Sequence, residues 1–434
     1  MTSDAHNQTR RMVLKSAAAI STASLLPLAA QGKEVRESDA VMDISKDEKY
    51  WAEIAKDFDV TPDIINLENG YWGLMSRPVL DTYLDHTRMV NRENSYYARR
   101  GFKNDFKAAT ARVAQELGAK DGEIVLTRNA TEALQGLIDG YDRLKPGEAV
   151  MYADLDYYSM IASMDVLAAK NGCDVVRLNI PEPVDYDGLI AFYRAALADN
   201  PKVRLLLLTH IGHRTGLQIP VKAVTKMARA AGVDVIVDAA HSYGQIDVKI
   251  DDIGADFIGF NLHKWIGAPI GVGAMYIRKE RLDAIAPNPS AETDEKDNIV
   301  GRVHTGTTNF AAIITLPAAF DYHTLIGAQN KEMRLRYLRD VWVEAVADIK
   351  NLSVLTGNDP RLHGGITSFR FDSTTSVAGN KAIVERLLAD HGIFTTHRNG
   401  VSKGACVRVT PSIYNSADDC LRLAEALHTL SKTL

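Results

Sequence analysis

The feature that most restricts the fold of this chain is an alternation of short apolar runs with longer amphipathic stretches, which begins near residue 64. Runs rich in Val, Ile and Leu are typical of strands buried on both faces, and amphipathic stretches between them are typical of helices that cover a parallel sheet. We therefore predict an α/β protein built on a mostly parallel sheet. Strands are expected at residues 123–127, 149–153, 175–178, 204–209, 233–238, 257–260 and 272–277, and the last is expected to be antiparallel.

The length of the chain and the change of pattern along it predict its domains. At 434 residues the chain exceeds the usual size of one compact domain. A polar, strand-poor loop is predicted at residues 287–306, and one long helix from residue 316 to about 349. Shorter helices are expected at residues 130–141, 159–171, 186–198 and 221–231. The predicted divisions are a signal peptide at 1–30, an N-terminal arm at 31–65, a large domain at 66–315 and a smaller α+β C-terminal domain at 316–434.

The first thirty residues differ from the rest of the chain. Paired arginines in the sequence TRRMVLK, at residues 9–15, precede an apolar, Ala-rich stretch at residues 16–28. This order is typical of a signal peptide, and the paired arginines are typical of twin-arginine export signals of bacteria. The apolar stretch is too short to favour a membrane span. We therefore expect the folded protein to reach the periplasm through the twin-arginine export machinery and to lose this segment near Ala30.

Charge and cysteine content exclude several classes of function. The 50 basic and 55 acidic residues give a formal net charge of -5 without long runs of one sign, so we predict no nucleic-acid surface. Three cysteines, Cys173, Cys406 and Cys420, are too few and too far apart for a disulfide framework or a zinc cluster. The pair His210 and His213 has no companion ligand at a clear spacing, so no metal site is predicted. A small-molecule site is the remaining expectation.

Polar residues directly after the predicted strands indicate where such a site lies, because ligands of open α/β sheets bind beyond the carboxyl ends of the strands. Residues 129–131, Asn-Ala-Thr, open a helix whose first turn either binds a phosphate or carries an ordinary helix cap. Asp238 ends a buried strand, where it either pairs with a cation such as a protonated pyridine nitrogen or caps the next turn. Lys264 follows another strand and can form a Schiff base with an aldehyde cofactor.

Together these segments resemble the class V aminotransferase family of pyridoxal 5'-phosphate (PLP) enzymes, which includes cysteine desulfurases and isopenicillin N epimerases. The sequence VDAAH at residues 237–241 resembles the family's V-D-x-A-[HQ] segment, and His263-Lys264 resembles its H-K pair. The sequence THIGHRTG at residues 209–216 resembles T-H-x-S-N-x-x-G. The resemblance covers residues 66–434 and implies the PLP-dependent transferase fold, which is aspartate aminotransferase-like.

The resemblance also implies roles for residues around the cofactor. Asp238 would pair with the pyridinium, His241 would reach the ring hydroxyl, and Lys264 would form the internal aldimine. Tyr157 would stack on the ring, unless it is an ordinary core residue, and His213 stands where the desulfurases have Asn. The sequence GTTN at residues 306–309 would bring Thr307 to the phosphate of a neighbouring subunit, which predicts a homodimer. The other implied cofactor contacts are Asn129, Ala130, Thr131, Asn261 and His263.

Near the C-terminus the resemblance implies a substrate site. The sequence RVTPSIYN, at residues 408–415, resembles R-x-S-x-x-x-Y-N, so Arg408 would bind the α-carboxylate of the substrate. Asn69 and Gly70 lie where the family's N-terminal segment approaches the substrate. Cysteine desulfurases need a cysteine on a mobile loop, and the corresponding residues, 396–404, contain none. Desulfuration by persulfide transfer is therefore not expected.

These implications predict a periplasmic PLP-dependent enzyme that acts on an amino group through an aldimine and deprotonation of Cα. The expected reaction is transamination of an amino acid or of an amino-acid-headed peptide or siderophore. Exported relatives that tailor the glutamyl group of siderophores resemble this arrangement. The alternatives are an epimerase like isopenicillin N epimerase and a C–S or β-lyase. A non-catalytic PLP-fold protein that binds amines is the alternative from another class.

Overall fold

The computed structural model describes residues 43–434, so the predicted signal peptide and most of the predicted arm lie outside the described residues. The strands, in chain order, are β1 (Ile65–Asn66), β2 (Ile124–Thr127), β3 (Ala149–Ala153), β4 (Asp174–Leu178), β5 (Val203–Thr209), β6 (Asp234–Asp238), β7 (Phe257–Asn261), β8 (Gly273–Ile277), β9 (Leu352–Val354), β10 (Thr367–Phe371), β11 (Ile393–Phe394), β12 (Thr396–Arg398) and β13 (Cys406–Val409).

The α-helices are α1 (Glu48–Ala55), α2 (Arg77–Arg100), α3 (Phe102–Leu117), α4 (Ala130–Gly140), α5 (Tyr158–Asn171), α6 (Tyr186–Asp199), α7 (Val221–Ala230), α8 (Ile250–Ile253), α9 (Phe310–Ile314), α10 (Leu316–Ile326), α11 (Ala328–Ala345), α12 (Val377–His391) and α13 (Ala417–Ser431). The segment predicted as a loop at residues 287–306 contains only short 3-10 turns, at Thr293–Glu295 and Ile299–Arg302. The helices α2 and α3 were not predicted from the sequence.

A seven-stranded sheet forms the centre of the fold, in the order β2-β8-β7-β6-β5-β3-β4. The pairs from β4 through β7 are parallel, and β8 runs antiparallel to both β2 and β7. The mostly parallel α/β sheet is therefore confirmed, and so is the antiparallel strand at its side. Each predicted strand agrees with the observed one to within one residue at either end.

Apolar side chains fill both faces of this sheet. Along β5, Leu205 and Leu207 pack in the cluster formed with α4 and α5, whereas Leu206 and Leu208 pack in the cluster formed with α6 and α7. Successive side chains of a strand point to opposite faces, so an uninterrupted apolar run is what a strand covered on both sides requires. The edge strand β4 is partly exposed, in keeping with its sequence DVVRL.

The predicted long helix after residue 316 is wrong: it is two helices, α10 and α11, bent by 70° at Gly327. Gly327 has φ 86°, a backbone conformation that a continuous right-handed helix cannot contain and that glycine adopts readily. Among the described residues no single helix is long and apolar enough to cross a membrane, although this bent pair meets the same length and composition criteria when its two helices are taken together.

A second, four-stranded antiparallel sheet has the order β12-β13-β10-β9. Its core includes Trp342 of α11, Phe369 of β10 and Leu427 of α13. The short strand β1 pairs in parallel with β11, which ties residues near 65 to residues near 393. The two larger sheets fall in the segments predicted as the large and small domains, and the exact domain boundaries stay a prediction.

Candidate active site

The carboxyl ends of the central parallel strands open into a cavity of about 450 Å³. Residues that follow β2, β3, β5, β6 and β7 line it, which is the edge of the sheet where ligands of such folds bind. A second cavity, of about 440 Å³, lies beside Glu182 and Arg370, and none of the predicted site residues lines it. The predicted residues that line the first cavity are Gly70, Asn129, Ala130, Thr131, Tyr157, His213, Asp238, His241, Asn261, His263, Lys264 and Arg408.

One end of the cavity is the turn between β2 and α4. The Asn129 side chain accepts a hydrogen bond from the Glu132 N–H at 2.8 Å and so caps α4. The Asn261 side-chain oxygen accepts from the Ala130 N–H at 2.8 Å, which joins the end of β7 to this turn. The Thr131 hydroxyl has no partner among the described residues. The positive end of the α4 dipole and that hydroxyl are thus available to an anion such as a phosphate.

His263 lies at the same end of the cavity. Its Nδ1 is 2.9 Å from the Val272 carbonyl oxygen, so Nδ1 carries the proton and donates it. Desolvation lowers the pKa of His263, while the Val272 bond opposes that shift. A neutral His263 would therefore present a lone pair at Nε2, and it can donate to a phosphate only when both ring nitrogens are protonated.

Asp238, at the end of β6, lies at the centre of the cavity wall. It is buried, its Oδ1 accepts a hydrogen bond from the Ala240 N–H at 2.9 Å, and no cation within the described residues forms an ion pair with it. Burial raises the pKa of this carboxyl, while the Ala240 bond and the charge of Lys264 oppose the shift. A buried carboxylate in this position calls for a cationic or hydrogen-bond donating ligand.

The Lys264 amine contacts His241. The Lys264 Nζ lies 3.0 Å from His241 Nε2, and the Trp265 indole N–H points at His241 Nδ1 at 3.4 Å. Because an indole N–H can only donate, Nδ1 acts as an acceptor and Nε2 carries the ring proton. Nε2–H then donates to the Lys264 amine, which can accept a hydrogen bond only when it is neutral.

The electrostatics of Lys264 make that neutral form more accessible than it is in an exposed lysine. Burial lowers the pKa of Lys264 to about 8, assisted by the charges of Arg408 and Arg398 and opposed by Asp238. Burial, followed by the charge of Lys264, also lowers the pKa of His241 well below its ordinary value. A neutral amine is the form that attacks an aldehyde and that can accept a proton from carbon.

Tyr157 and His213 form an aromatic wall of the cavity. The two rings meet edge to face, with centroids 5.1 Å apart and an interplanar angle of 83°. Burial raises the pKa of Tyr157 to about 12, and its hydroxyl lies 3.3 Å from that of Tyr158. Burial lowers the pKa of His213 well below its ordinary value, so this ring is neutral. Neutral aromatic rings suit contact with a flat heterocycle.

Arg408 is the cation at the opposite end of the cavity. Its side chain is 1% exposed, its Nη1 donates to the His213 carbonyl oxygen at 2.8 Å, and its Nη2 bonds to Glu68. A Cβ at Gly70 would lie 2.6 Å from Arg408 Nη2, so only glycine leaves room for the guanidinium there. Arg398, at the end of β12, lines the cavity beside it. Glu68 and Arg398 are site residues that the sequence did not reveal.

Asn69 and Thr307 are the two predicted site residues that do not line the cavity. The Asn69 amide bonds to the Thr410 carbonyl oxygen at 3.0 Å and to Asn415 Oδ1 at 3.3 Å, which fixes the segment that carries Gly70. Thr307 is exposed on a loop outside the cavity of its own chain. The segment of Asn69 and Gly70 continues to Gly73. The Gly73 N–H donates to the His263 carbonyl oxygen at 2.8 Å, and the contact of Gly73 with Lys264 leaves no space for a Cβ.

These residues fit PLP better than a metal ion. The cavity has an anion-binding helix end at Thr131, a buried carboxylate without a cation at Asp238 and a neutral amine at Lys264, which match the phosphate, pyridine nitrogen and aldehyde of that cofactor. Among residues 43–434 no group of three or more His, Cys, Asp or Glu side chains is placed to hold a metal ion.

Comparison with known proteins bears on the same residues. Residues 77–423 match the family described as Aminotransferase class-V. The chain is 27% identical to isopenicillin N epimerase of Amycolatopsis lactamdurans over 405 residues, which cover 88% of this chain and 99% of that protein. The crystal structure of the cysteine desulfurase CsdA of Escherichia coli has a TM-score of 0.75 at 21% identity, covering 88% of this chain and 99% of that one.

A third relative carries the cofactor. The structure of a C-DES mutant with glycine covalently linked to its PLP cofactor has a TM-score of 0.73 at 20% identity and covers 86% of this chain and 98% of that one. The PLP-dependent transferase fold is therefore confirmed. The match spans most of the chain, and the site has a place for each part of PLP. This chain belongs to the class V aminotransferase family and is a PLP-dependent enzyme.

Proposed function

We propose that this protein is an aminotransferase that acts in the periplasm on the amino group of an amino acid or of an amino-acid-headed peptide or siderophore. The observation that carries the proposal is the placement of three groups around one cavity: the neutral amine of Lys264, the carboxylate of Asp238 and the guanidinium of Arg408. A base, a charge partner for a pyridine nitrogen and a receiver for a carboxylate are what deprotonation of an amino acid requires.

Each of these residues has a defined task. The bound cofactor supplies an electron sink for the charge that develops when an amino acid loses its Cα proton. Lys264 takes that proton, because its lowered pKa leaves the amine free to accept one near neutral pH. Asp238 holds the ring nitrogen in its protonated form by charge. Arg408 binds the carboxylate of the amino acid and so fixes Cα within reach of Lys264.

The position of Lys264 supports transamination. Transamination requires a group that takes the Cα proton and returns a proton on the same side of the site, and a single amine such as that of Lys264 can do both. The second candidate is epimerisation, which requires a proton donor on the other side of Cα. It is favoured by the likeness to isopenicillin N epimerase and by Tyr157, whose hydroxyl keeps its proton at neutral pH because its pKa is about 12.

Desulfuration through a persulfide is not supported. The free cysteines of the described chain are Cys173, Cys406 and Cys420, and none of them lines the cavity. Cys406 is buried on β13, and burial raises its pKa to about 11, so it is not a thiolate near neutral pH. A persulfide carrier must be a reactive thiolate that reaches the substrate.

Mass spectrometry of a reaction screen tests the proposal. We expect that the holoprotein, mixed with amino-acid-headed peptides and a keto acid, converts the terminal amine to a ketone, which lowers the peptide mass by about one unit. An unchanged mass with inverted configuration would instead identify the epimerase. Binding of the peptide with neither change, in wild type as in Lys264→Ala, would identify an amine-binding protein without turnover.

Export to the periplasm is a separate part of the proposal, supported by the sequence at residues 9–30. Folding before export suits a protein that must receive its cofactor in the cytoplasm. We expect the wild-type protein in the periplasmic fraction of a bacterial host, and the double substitution of Arg10 and Arg11 by Lys in the cytoplasm with its cofactor bound. Equal distribution of the two forms would contradict the proposal.

We further propose that the protein is a homodimer. Large apolar side chains near the cavity mouth are exposed in the single chain: Tyr71 is 73% exposed and Trp72 is 48% exposed. The loop of Thr307 is exposed as well and could reach the phosphate end of a second copy. Light scattering of the purified protein should give twice the mass of one chain, and a monomer that retains full activity would contradict this proposal.

A further inference from the structure

The two arginines at the carboxylate end of the cavity are already in contact with a carboxylate of the protein itself. Glu68 follows β1, its side chain is only 8% exposed, and its Oε1 accepts a hydrogen bond from Arg408 Nη2. The same oxygen lies 3.5 Å from Arg398 Nη2. Both guanidiniums line the cavity. Glu68 therefore engages the same two guanidiniums that a substrate carboxylate would use.

The hydrogen bonds of this group are incomplete. Glu68 Oε2 is buried and has no partner among the described residues, and the same is true of Arg398 Nε and Arg408 Nε. A guanidinium has five N–H groups, and the described residues accept only two from Arg408, so three remain. This end of the cavity can still donate to an anion, and a buried anionic oxygen without a hydrogen bond lies next to it.

The charges at this end leave one cation in excess. Two guanidiniums share the single negative charge of Glu68, while the amine of Lys264 is countered by the carboxylate of Asp238. Arg214, on the same wall, donates to the backbone carbonyl oxygens of Asp154 and Asp156. The carboxylates of the same two residues stabilise its positive charge. One substrate carboxylate would make the group neutral, and a second would leave a buried negative charge uncompensated.

We propose that Glu68 determines how many negative charges the substrate may carry at this end, so that the enzyme selects an amino acid unit with one free carboxylate and an uncharged or blocked side chain. This inference rests on the proposed action on amino acids and names the substrate class for it. Glu68 acts by charge: it already offsets one of the two guanidiniums, so a second substrate carboxylate would lie near its negative charge without a further cation to receive it.

Binding of small carboxylates to the holoprotein tests this directly. Butyrate and succinate have the same carbon chain, with one and two carboxylates, and neither has an amine. We expect calorimetry at low salt to show that the wild-type protein binds butyrate at least about tenfold more tightly than succinate. In Glu68→Gln this preference should fall by about tenfold, because the opposing charge is gone. A change of less than about threefold, or a wild-type protein that does not prefer butyrate, overturns the proposal.

A matched control is available in Glu182. It is also a glutamate on an arginine, with a side chain 15% exposed and its Oε1 2.6 Å from Arg370 Nη1, but it lines the other cavity. Glu182→Gln should leave the preference for butyrate unchanged, and a shift equal to that of Glu68→Gln would mean that the effect is general and overturn the proposal. If Glu68→Gln does not fold, Glu68→Asp can replace it. The shorter side chain moves the carboxylate away from the two arginines by one methylene, so it should also reduce the preference for butyrate over succinate.

A second readout separates this inference from the proposed function. The visible absorbance of the holoprotein should change at lower concentrations of L-glutamine than of L-glutamate, and Glu68→Gln should remove the difference. No change with any amino acid, together with the expected butyrate preference, would mean that the proposed function fails and the charge selection stands. A spectral response to amino acids without any difference between glutamine and glutamate would overturn the selection and leave the function intact.

Discussion

Single side chains determine the chemistry of this site through burial rather than through unusual residue types. The Lys264 amine has one polar contact, with His241 at 3.0 Å, and His241 and Trp265 beside it are buried. Desolvation penalises the charged form of an amine, and so the same lysine that would be protonated on a surface becomes a nucleophile here. The tautomer of His241, assigned from the Trp265 N–H, agrees with that state because it lets Nε2 donate to the amine.

The lowered pKa of Lys264 predicts how the apoprotein takes up its cofactor. Attachment needs the neutral amine, so the rate at which added PLP is bound covalently should rise as the pH increases to about 8 and then level off. Stopped-flow absorbance measures this rate, and the same titration with a free lysine derivative supplies the cofactor's own pH dependence. Lys264→Ala should show no attachment. A corrected rate that still rises steeply to pH 10 would mean that the amine is not perturbed.

Lys331 is a second buried lysine, next to the first. Its Nζ donates to the Trp265 carbonyl oxygen, and burial lowers its pKa to about 7 from the ordinary 10.5. The folded protein therefore binds fewer protons than the unfolded chain between those values, and its stability falls as the pH decreases through that window. This lysine supports the loop that carries Lys264 at a cost in stability.

Lys331→Met should therefore stabilise the protein. Met keeps the stem and removes the amine, so we expect a gain of about 1–3 kcal/mol at pH 7, less the loss of the bond to the Trp265 carbonyl. The gain should grow as the pH falls from about 10 to about 7 and stay constant below that, because the folded-state pKa is about 7. Denaturant unfolding of both apoproteins across this range measures it, and a gain independent of pH would contradict the assignment.

Residues that act through long-range contacts could not be found from the sequence. Asp238 and Lys264 each follow an apolar run, which places them at the ligand edge, and the family motifs add their roles. Glu68 does not follow a long apolar run, and its partner Arg408 is 340 residues away in the chain. No local pattern in the sequence therefore indicates this pair. Arg398 lies within residues 396–404, where the feature that the sequence showed was the lack of a cysteine.

Between elements, the phosphate end of the cavity depends on close backbone packing. The turn before α4 lies directly on β8, where a Cβ at Gly273 would be 2.7 Å from the Asn129 backbone and 2.7 Å from the Phe260 carbonyl oxygen. Gly273 pairs with Thr127 on one side and Asn261 on the other, so it joins three of the segments that form this end. The glycine is needed for its small size rather than for an unusual backbone conformation.

Gly273→Ala should therefore weaken cofactor binding. The new methyl group must push the turn of Asn129 away from β8, which we expect to cost about 1–3 kcal/mol of stability and to misplace the Thr131 hydroxyl. Release of PLP into buffer, followed by absorbance, should be faster in this variant. Gly357→Ala is the control, because a Cβ there meets only Leu362 at an ordinary 3.6 Å, and equal release from the two variants would contradict the packing argument.

The elements themselves were predictable to different degrees. The strands of the central sheet were found because burial on both faces demands continuous apolar runs, which few other structures produce. The break between α10 and α11 was missed because the apolar pattern continues across it, and only Gly327 marks the bend. The helices α2 and α3 were missed because polar residues dominate this part of the sequence, and only Val79 and Tyr97 of α2 are buried.

At the scale of the whole molecule, we expect a segment of a second copy to complete the cavity. Thr307 lies on an exposed loop, and the aromatic side chains of Tyr71 and Trp72 are exposed near the mouth. A second copy that covered these side chains would bury apolar surface and bring its own loop to the phosphate end. Activity would then belong to the pair of chains.

Mixing two impaired variants tests whether the loop of Thr307 acts across subunits. Lys264→Ala lacks the amine, and Thr307→Ala lacks the loop hydroxyl that a partner would receive. In a mixed dimer, the cavity with an intact Lys264 faces an intact Thr307, so the mixture should regain up to about a quarter of wild-type activity after subunit exchange. Thr307→Ala alone should bind PLP more weakly. A mixture no more active than its components would show that the loop does not act across subunits.

The pairing of β1 with β11 joins the beginning of the described chain to a segment close to its end. Gly70, just after β1, must also receive the guanidinium of Arg408, which is 26 residues from the C-terminus. This side of the pocket is therefore made by two segments that are far apart in the chain and close in space. Proteolysis between them, followed by separation of the two pieces, would leave Lys264 intact and remove the receiver of the substrate carboxylate.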